Sequence, residues 1–148
     1  MVPPAGYTLG MDRLDQLQAL CVDFGLMAVY LFGSRSADGR RRLHGDRVNA
    51  AGSDLDVGLF GRAGAIPPDR MGALQVALEE VFAPLRVDMV PLDHVDPLFQ
   101  FAAIQGIRVA APDSTAADEK ELEVMRRAAD LLPIQRQLEI EEFGVSTS

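Results

Sequence analysis

The sequence predicts one α/β domain, a small mixed β-sheet flanked by helices. Three observations carry the class. Short apolar runs bounded by glycine or proline recur along the chain, segments with apolar residues at helical spacing alternate with them, and 148 residues suffice for one core without disulfide or metal staples. Hydrophobic residues make up 48% and charged residues 24%, the balance of a folded globular chain. The net charge of −8 sets the molecule as a whole against nucleic acid and acidic membrane surfaces. No signal-like start and no apolar run of about eighteen residues is present, so the expected location is the cytoplasm, with no membrane partner.

Residues 1–10 are rich in Pro and Gly and read as a flexible tail. The domain core is expected over 11–112, with a helical segment of the same domain over 113–143. Leu14, Leu17, Leu20, Cys21 and Phe24 recur at helical spacing until Gly25 interrupts them. The lone Cys21 has no disulfide partner and reads as a small core residue. "LMAVYLF", 26–32, lies between Gly25 and Gly33 and predicts a buried strand.

From Arg35 to Gly52 no periodicity is visible, and the segment reads as an exposed loop whose removal over 37–50 would leave the fold intact. "DLDVGLF" predicts the second strand. Met71, Leu74, Leu78, Val81 and Phe82 make a helical stripe, and "LRVDMVPL", 85–92, predicts a third strand. Asp96 and Pro97 start a short helix that Gly106 ends, and "IRVAA" adds an edge strand. Thr115 with Asp118 resembles a capping box. Leu122, Met125, Ala129 and Leu132 then mark a helix face, with Pro133 expected to kink or end it.

The chemistry concentrates where two strands break. "SDLDVGLF", 53–60, places Asp54 and Asp56 on one strand face while Leu55, Val57 and Leu59 enter the core from the other. Adjacent carboxylates repel and raise each other's pKa, so keeping both ionised calls for a cation, and hard oxygen ligands suit Mg²⁺ or Mn²⁺. Asp88, in the middle of "RVDMV", would be costly if buried unpaired, and a shared metal site gives it a partner. Upstream, Gly33 admits close backbone approach and Ser34 offers a hydroxyl and an N–H. A helical turn beginning there would add positive potential for a phosphate, and Arg35 follows at the same turn.

With "LFGSR" at 31–35, "SDLDVGL" at 53–59 and "VDMVPL" at 87–92, the chain resembles the minimal nucleotidyltransferase (MNT) family of the DNA polymerase beta-like nucleotidyltransferase superfamily. A weaker match, "PLFQFAAIQGIRV" at 97–109, resembles the tail segment of bacterial MNT proteins. The resemblance implies that Asp54, Asp56 and Asp88 hold two divalent cations and that Gly33, Ser34 and Arg35 bind the phosphates of ATP. It further implies an antitoxin that transfers AMP to a tyrosine of a HEPN-domain ribonuclease toxin. A noncatalytic antitoxin acting by contact and a small-molecule nucleotidyltransferase are the alternatives. One departure stands out: nineteen residues separate Ser34 from Asp54, longer than in compact members. They place Arg40, Arg41, Arg42, His44 and Arg47 in a segment expected near the nucleotide.

Overall fold

The computed structural model describes residues 11–143, with side chains described through Leu132; the N-terminal tail read from the sequence lies outside them. Helix α1 (Arg13–Phe24) starts at Asp12, whose carboxylate accepts a hydrogen bond from the Asp15 N–H at 2.8 Å, and ends where Gly25 turns left-handed with φ 65°. Those are the two groups a helix terminus needs, an acceptor for early N–H groups and a residue free of the Cβ penalty. Cys21 is buried in the core, where desolvation pushes its thiol pKa up to about 12.

Strands β1 (Leu26–Phe32), β2 (Leu55–Gly61), β3 (Val87–Pro91) and β4 (Ile107–Ala110) form one mixed sheet in the order β3-β2-β1-β4. β1 runs antiparallel to both β2 and β4, and β2 runs parallel to β3. Strand alternation sorts the side chains into two cores. Val29, Leu31, Leu55, Val57 and Leu59 face α1 and α3 (Met71–Phe82), packing with Leu17, Leu74, Leu78 and Phe82. On the opposite face Ala28, Tyr30 and Phe60 pack with Leu92 and with residues of α4 (Pro97–Ile104) and α5 (Ser114–Phe143). Each large side chain removed from water contributes about 2 kcal/mol, so both faces must be covered for a sheet this small to persist.

The segment read as a loop after Arg35 is partly a helix, α2 (Ser36–Leu43). Its signal is hidden because only Gly39 and Leu43, four residues apart, face the protein; the rest is Arg, Asp, Ser and Ala. Gly39 lies so close that an added Cβ would come within 2.8 Å of both Leu31 and Leu55 methyl groups. A helix pressed onto the core through a glycine and one leucine has no apolar stripe to read. The segment is therefore structural, and the expectation that 37–50 is dispensable is withdrawn.

Helix α5 corrects two expectations and narrows a third. Its cap is Asp113, which accepts from the Ala116 N–H at 3.1 Å, so Thr115 and Asp118 form no capping box. Its buried face carries Ala117, Val124 and Ala128, whereas Leu122, Met125 and Leu132 are exposed. The chain also stays helical through Pro133 to Phe143, the proline forgoing one backbone donor without ending the helix. A polar clasp decides which face packs. The fully buried Tyr30 hydroxyl donates to Glu121 Oε2 at 2.5 Å, and Arg108 NH1 donates to Glu121 Oε2 and to Asp118 Oδ1, each at 2.8 Å. Removing the hydroxyl in Tyr30→Phe leaves Glu121 with its arginine, so the expected cost is about 1.5 kcal/mol in a urea unfolding titration, a single hydrogen bond to a charged group.

Candidate active site

The end of β1 and the starts of β2 and β3 meet at one edge of the sheet. Antiparallel register sets Phe32 opposite Asp56, and parallel register sets Asp56 opposite Asp88. The chain leaves β1 at Gly33, whose φ of 75° is left-handed and whose missing side chain makes room for Asp56: a Cβ there would collide with Asp56 Oδ2. The Gly-Ser break and the Asp-x-Asp break are thus one structural event, with the first accommodating the second.

Asp56 is the half-buried member of the carboxylate group, while Asp54 and Asp88 are exposed. Burial, then the charge of Asp88 and a hydrogen bond with it, then the charge of Asp54, hold the Asp56 carboxyl above the usual carboxylate range. The cost foreseen for a buried Asp88 does not arise, because β3 is an edge strand and its carboxylate reaches water; the strained member is Asp56. Beyond the strand, Asp54 Oδ1 lies 3.3 Å from Arg86 Nε.

Ser34 is exposed at the turn, its Oγ 3.2 Å from Ser53 Oγ. Helix α2 begins two residues later with no side chain capping its N-terminus, which leaves its positive end beside the carboxylate edge. Arg35 differs from the expectation that it faces phosphates. Its buried guanidinium donates from Nε to Asp38 Oδ2 at 2.9 Å, from NH1 to the Ala51 and Ser53 carbonyls at 3.1 Å, and from NH2 to the Asn49 carbonyl. Arg35 pins the loop that delivers Ser53 and Asp54.

The loop arginines are also placed otherwise than expected. Arg40, Arg41 and Arg42 occupy the last turn of α2, where cations complement the helix dipole, roughly 12 Å of helix away from Ser34. Arg42 donates to the Ala83 carbonyl at 2.5 Å beyond the end of α3, and Arg41 sits 3.7 Å from Asp38 and 3.8 Å from Asp46. His44 and His94 are exposed; Asp93 accepts from the Gly61 N–H at 2.8 Å, and Asp96 caps α4 by accepting from Phe99 at 2.9 Å. Sequence reasoning overlooked Arg86 and Ser53. Both lie next to motif residues, Arg86 just before β3 and two positions before Asp88, and that spacing was legible.

The donor set suits a hard divalent cation: Asp56 and Asp88 sit on adjacent strands and Asp54 just before β2, with the ionised Asp56 disfavoured by burial and then by the charges of the other two. Their positions are not yet those of ligands, since among the described residues no three acidic, His or Cys side chains converge closely enough to hold an ion. The backbone register brings the residues together, and the side chain of Asp54 is turned toward Arg86. No helix among the described residues is long and apolar enough to cross a membrane.

The four-stranded mixed sheet and its flanking helices make a polymerase-beta-like fold. Two solved structures share it. One is a toxin–antitoxin crystal structure with AMP-PNP, at TM-score 0.61 and 18% identity over 89% of this chain and 98% of that chain. The other is a mutant of the toxin–antitoxin MntA-HpeT with two aspartate-to-glutamate changes two positions apart, at TM-score 0.62 and 17% identity over the same shares. At these identities the likeness is one of fold. No protein-family model and no curated protein matches the chain.

Proposed function

We propose that this chain is an MNT-type antitoxin that transfers AMP from ATP to a tyrosine of a cognate HEPN ribonuclease toxin and so neutralises it. The observation that carries the proposal is the shared edge of Asp54, Asp56 and Asp88 with the Gly33-Ser34 turn and the uncapped start of α2. Two comparisons support it: a chain of this fold was crystallised in a toxin–antitoxin with AMP-PNP, and the MntA-HpeT mutant changes two aspartates at the spacing of Asp54 and Asp56.

Asp54, Asp56 and Asp88 would hold two Mg²⁺ or Mn²⁺ ions, which when bound polarise the α-phosphate and neutralise charge on departing pyrophosphate. The Ser34 hydroxyl and the first turn of α2 receive the β- and γ-phosphates, an anion at a helix N-terminus being favoured by both free N–H groups and the dipole. The toxin hydroxyl oxygen bonds to the α-phosphorus as the bond to pyrophosphate breaks. Asp88, exposed on the edge strand, is open to take the hydroxyl proton.

The test is co-expression with the protein encoded by the adjacent gene, followed by intact mass with and without ATP and Mg²⁺. Addition of AMP units to the partner, only when both are present, is the expected result. A stable complex whose mass never changes would overturn transfer and favour an antitoxin that acts by contact, and the absence of both complex and mass change would overturn the antitoxin reading.

A further inference from the structure

Arg86 immediately precedes β3 and Asp54 immediately precedes β2, one residue before the first strand pair Leu55–Val87, and Asp56 and Asp88 are the next pair within the sheet. The edge is therefore a grid with three carboxylates and one cation at its corners. The Leu55 N–H donates to the Arg86 carbonyl at 2.8 Å, fixing that row by the backbone ladder, while the guanidinium sits 3.3 Å from Asp54 Oδ1. Asp54 faces this arginine, and no three ligand side chains converge.

We propose that Arg86 is a built-in counterion of this site, a positioning residue that holds Asp54 until a divalent cation displaces it. The inference rests on the metal-site reading given above. Arg86 is 78% exposed and Asp54 47%, so the pair is water-screened and cheaply broken, as a reversible latch must be. Its partner Asp54 is the carboxylate that must turn for the trio to converge. While in place, the guanidinium offsets part of the crowding at an edge that otherwise carries three negative charges; toward a dication held by those carboxylates it would be a like charge and would oppose binding. Arg86 thus stabilises the metal-free protein at the expense of metal affinity, and the latch weakens as ionic strength rises because an exposed pair is screened.

The probe is Mn²⁺ alone, titrated into the full chain and read by the electron paramagnetic resonance of the free ion. Arg86→Gln removes the charge from an exposed side chain and keeps the backbone bond to Leu55, so the variant folds. It is expected to bind Mn²⁺ about three- to tenfold tighter than wild type at low ionic strength, with the difference closing in salt well above physiological concentration. Arg86→Lys, which keeps the charge, is expected to stay near wild type. Unchanged or weaker binding by Arg86→Gln overturns the latch, weaker binding meaning that Arg86 orients Asp54 toward the ion. Binding that is absent from wild type and from Arg86→Gln alike removes the metal reading, and the latch with it, whereas binding in wild type that Asp54→Asn abolishes keeps the metal reading whatever Arg86 does.

Discussion

Asp56→Asn is expected to abolish nucleotide transfer and to raise the melting temperature of the same protein. The two effects have one cause. Asp56 is the half-buried carboxylate of the group, held above the usual carboxylate range first by burial and then by Asp88 and Asp54. A raised folded-state pKa means that the folded chain keeps a proton where the unfolded chain has released it, so stability falls as pH climbs through that window. Asparagine has nearly the same shape and no charge, so that loss disappears. The expected gain is about 1 kcal/mol, or roughly 3 °C for a domain of this size. Below the ordinary carboxylate range wild-type Asp56 is itself neutral, and the advantage of the variant should vanish there. Activity moves the other way: losing a ligand that supplies several kcal/mol of transition-state charge stabilisation costs about a thousandfold or more in transfer rate. Calorimetry across pH, paired with the AMP-transfer assay, checks both. A variant that loses stability at neutral pH would show that Asp56 is a structural group, and one that keeps full activity would remove it from the site.

Much of this edge was legible because strands advertise themselves. "LMAVYLF" is flanked by glycines and alternates onto two cores, and it matches β1 residue for residue; the carboxylates were found because a charge inside an apolar run needs a reason. What stayed hidden was information carried by the third dimension. Helix α2 packs through Gly39 and Leu43, so its buried face has almost no hydrophobic signature, and a local pattern method cannot see a contact whose partners are Leu31 and Leu55. On α5 the more apolar stripe, Leu122, Met125 and Leu132, lost to the face of Ala117, Val124 and Ala128. Small residues let the helix lie close to its neighbours, and Glu121 on that side meets Tyr30 and Arg108. Arg35 was placed by sequence position at the turn, but position does not give direction, and three loop carbonyls together with Asp38 claim its guanidinium.

Gly33→Ala is expected to lose both stability and transfer, and the way the losses divide tests how the two sequence breaks are joined. Two penalties add at this residue. An L side chain at φ 75° costs about 1–2 kcal/mol in any surroundings, and a Cβ here runs into Asp56 Oδ2, which must turn away. Gly25 separates them: its φ of 65° imposes the same backbone cost, but a Cβ there meets nothing within 4 Å. Gly25→Ala should therefore lose about 1 kcal/mol and keep full transfer activity, whereas Gly33→Ala should lose about 2–3 kcal/mol and most of its activity. The collision term is isolated by adding Asp56→Ala. If the carboxylate is what the methyl group strikes, Gly33→Ala should cost markedly less in the Asp56→Ala background than in wild type, a coupling of about 1 kcal/mol measured by urea unfolding of the four proteins in the cycle. Simple additivity would mean that the backbone conformation alone requires glycine, and that Gly33 and Asp56 share an edge of the sheet without one having been shaped for the other.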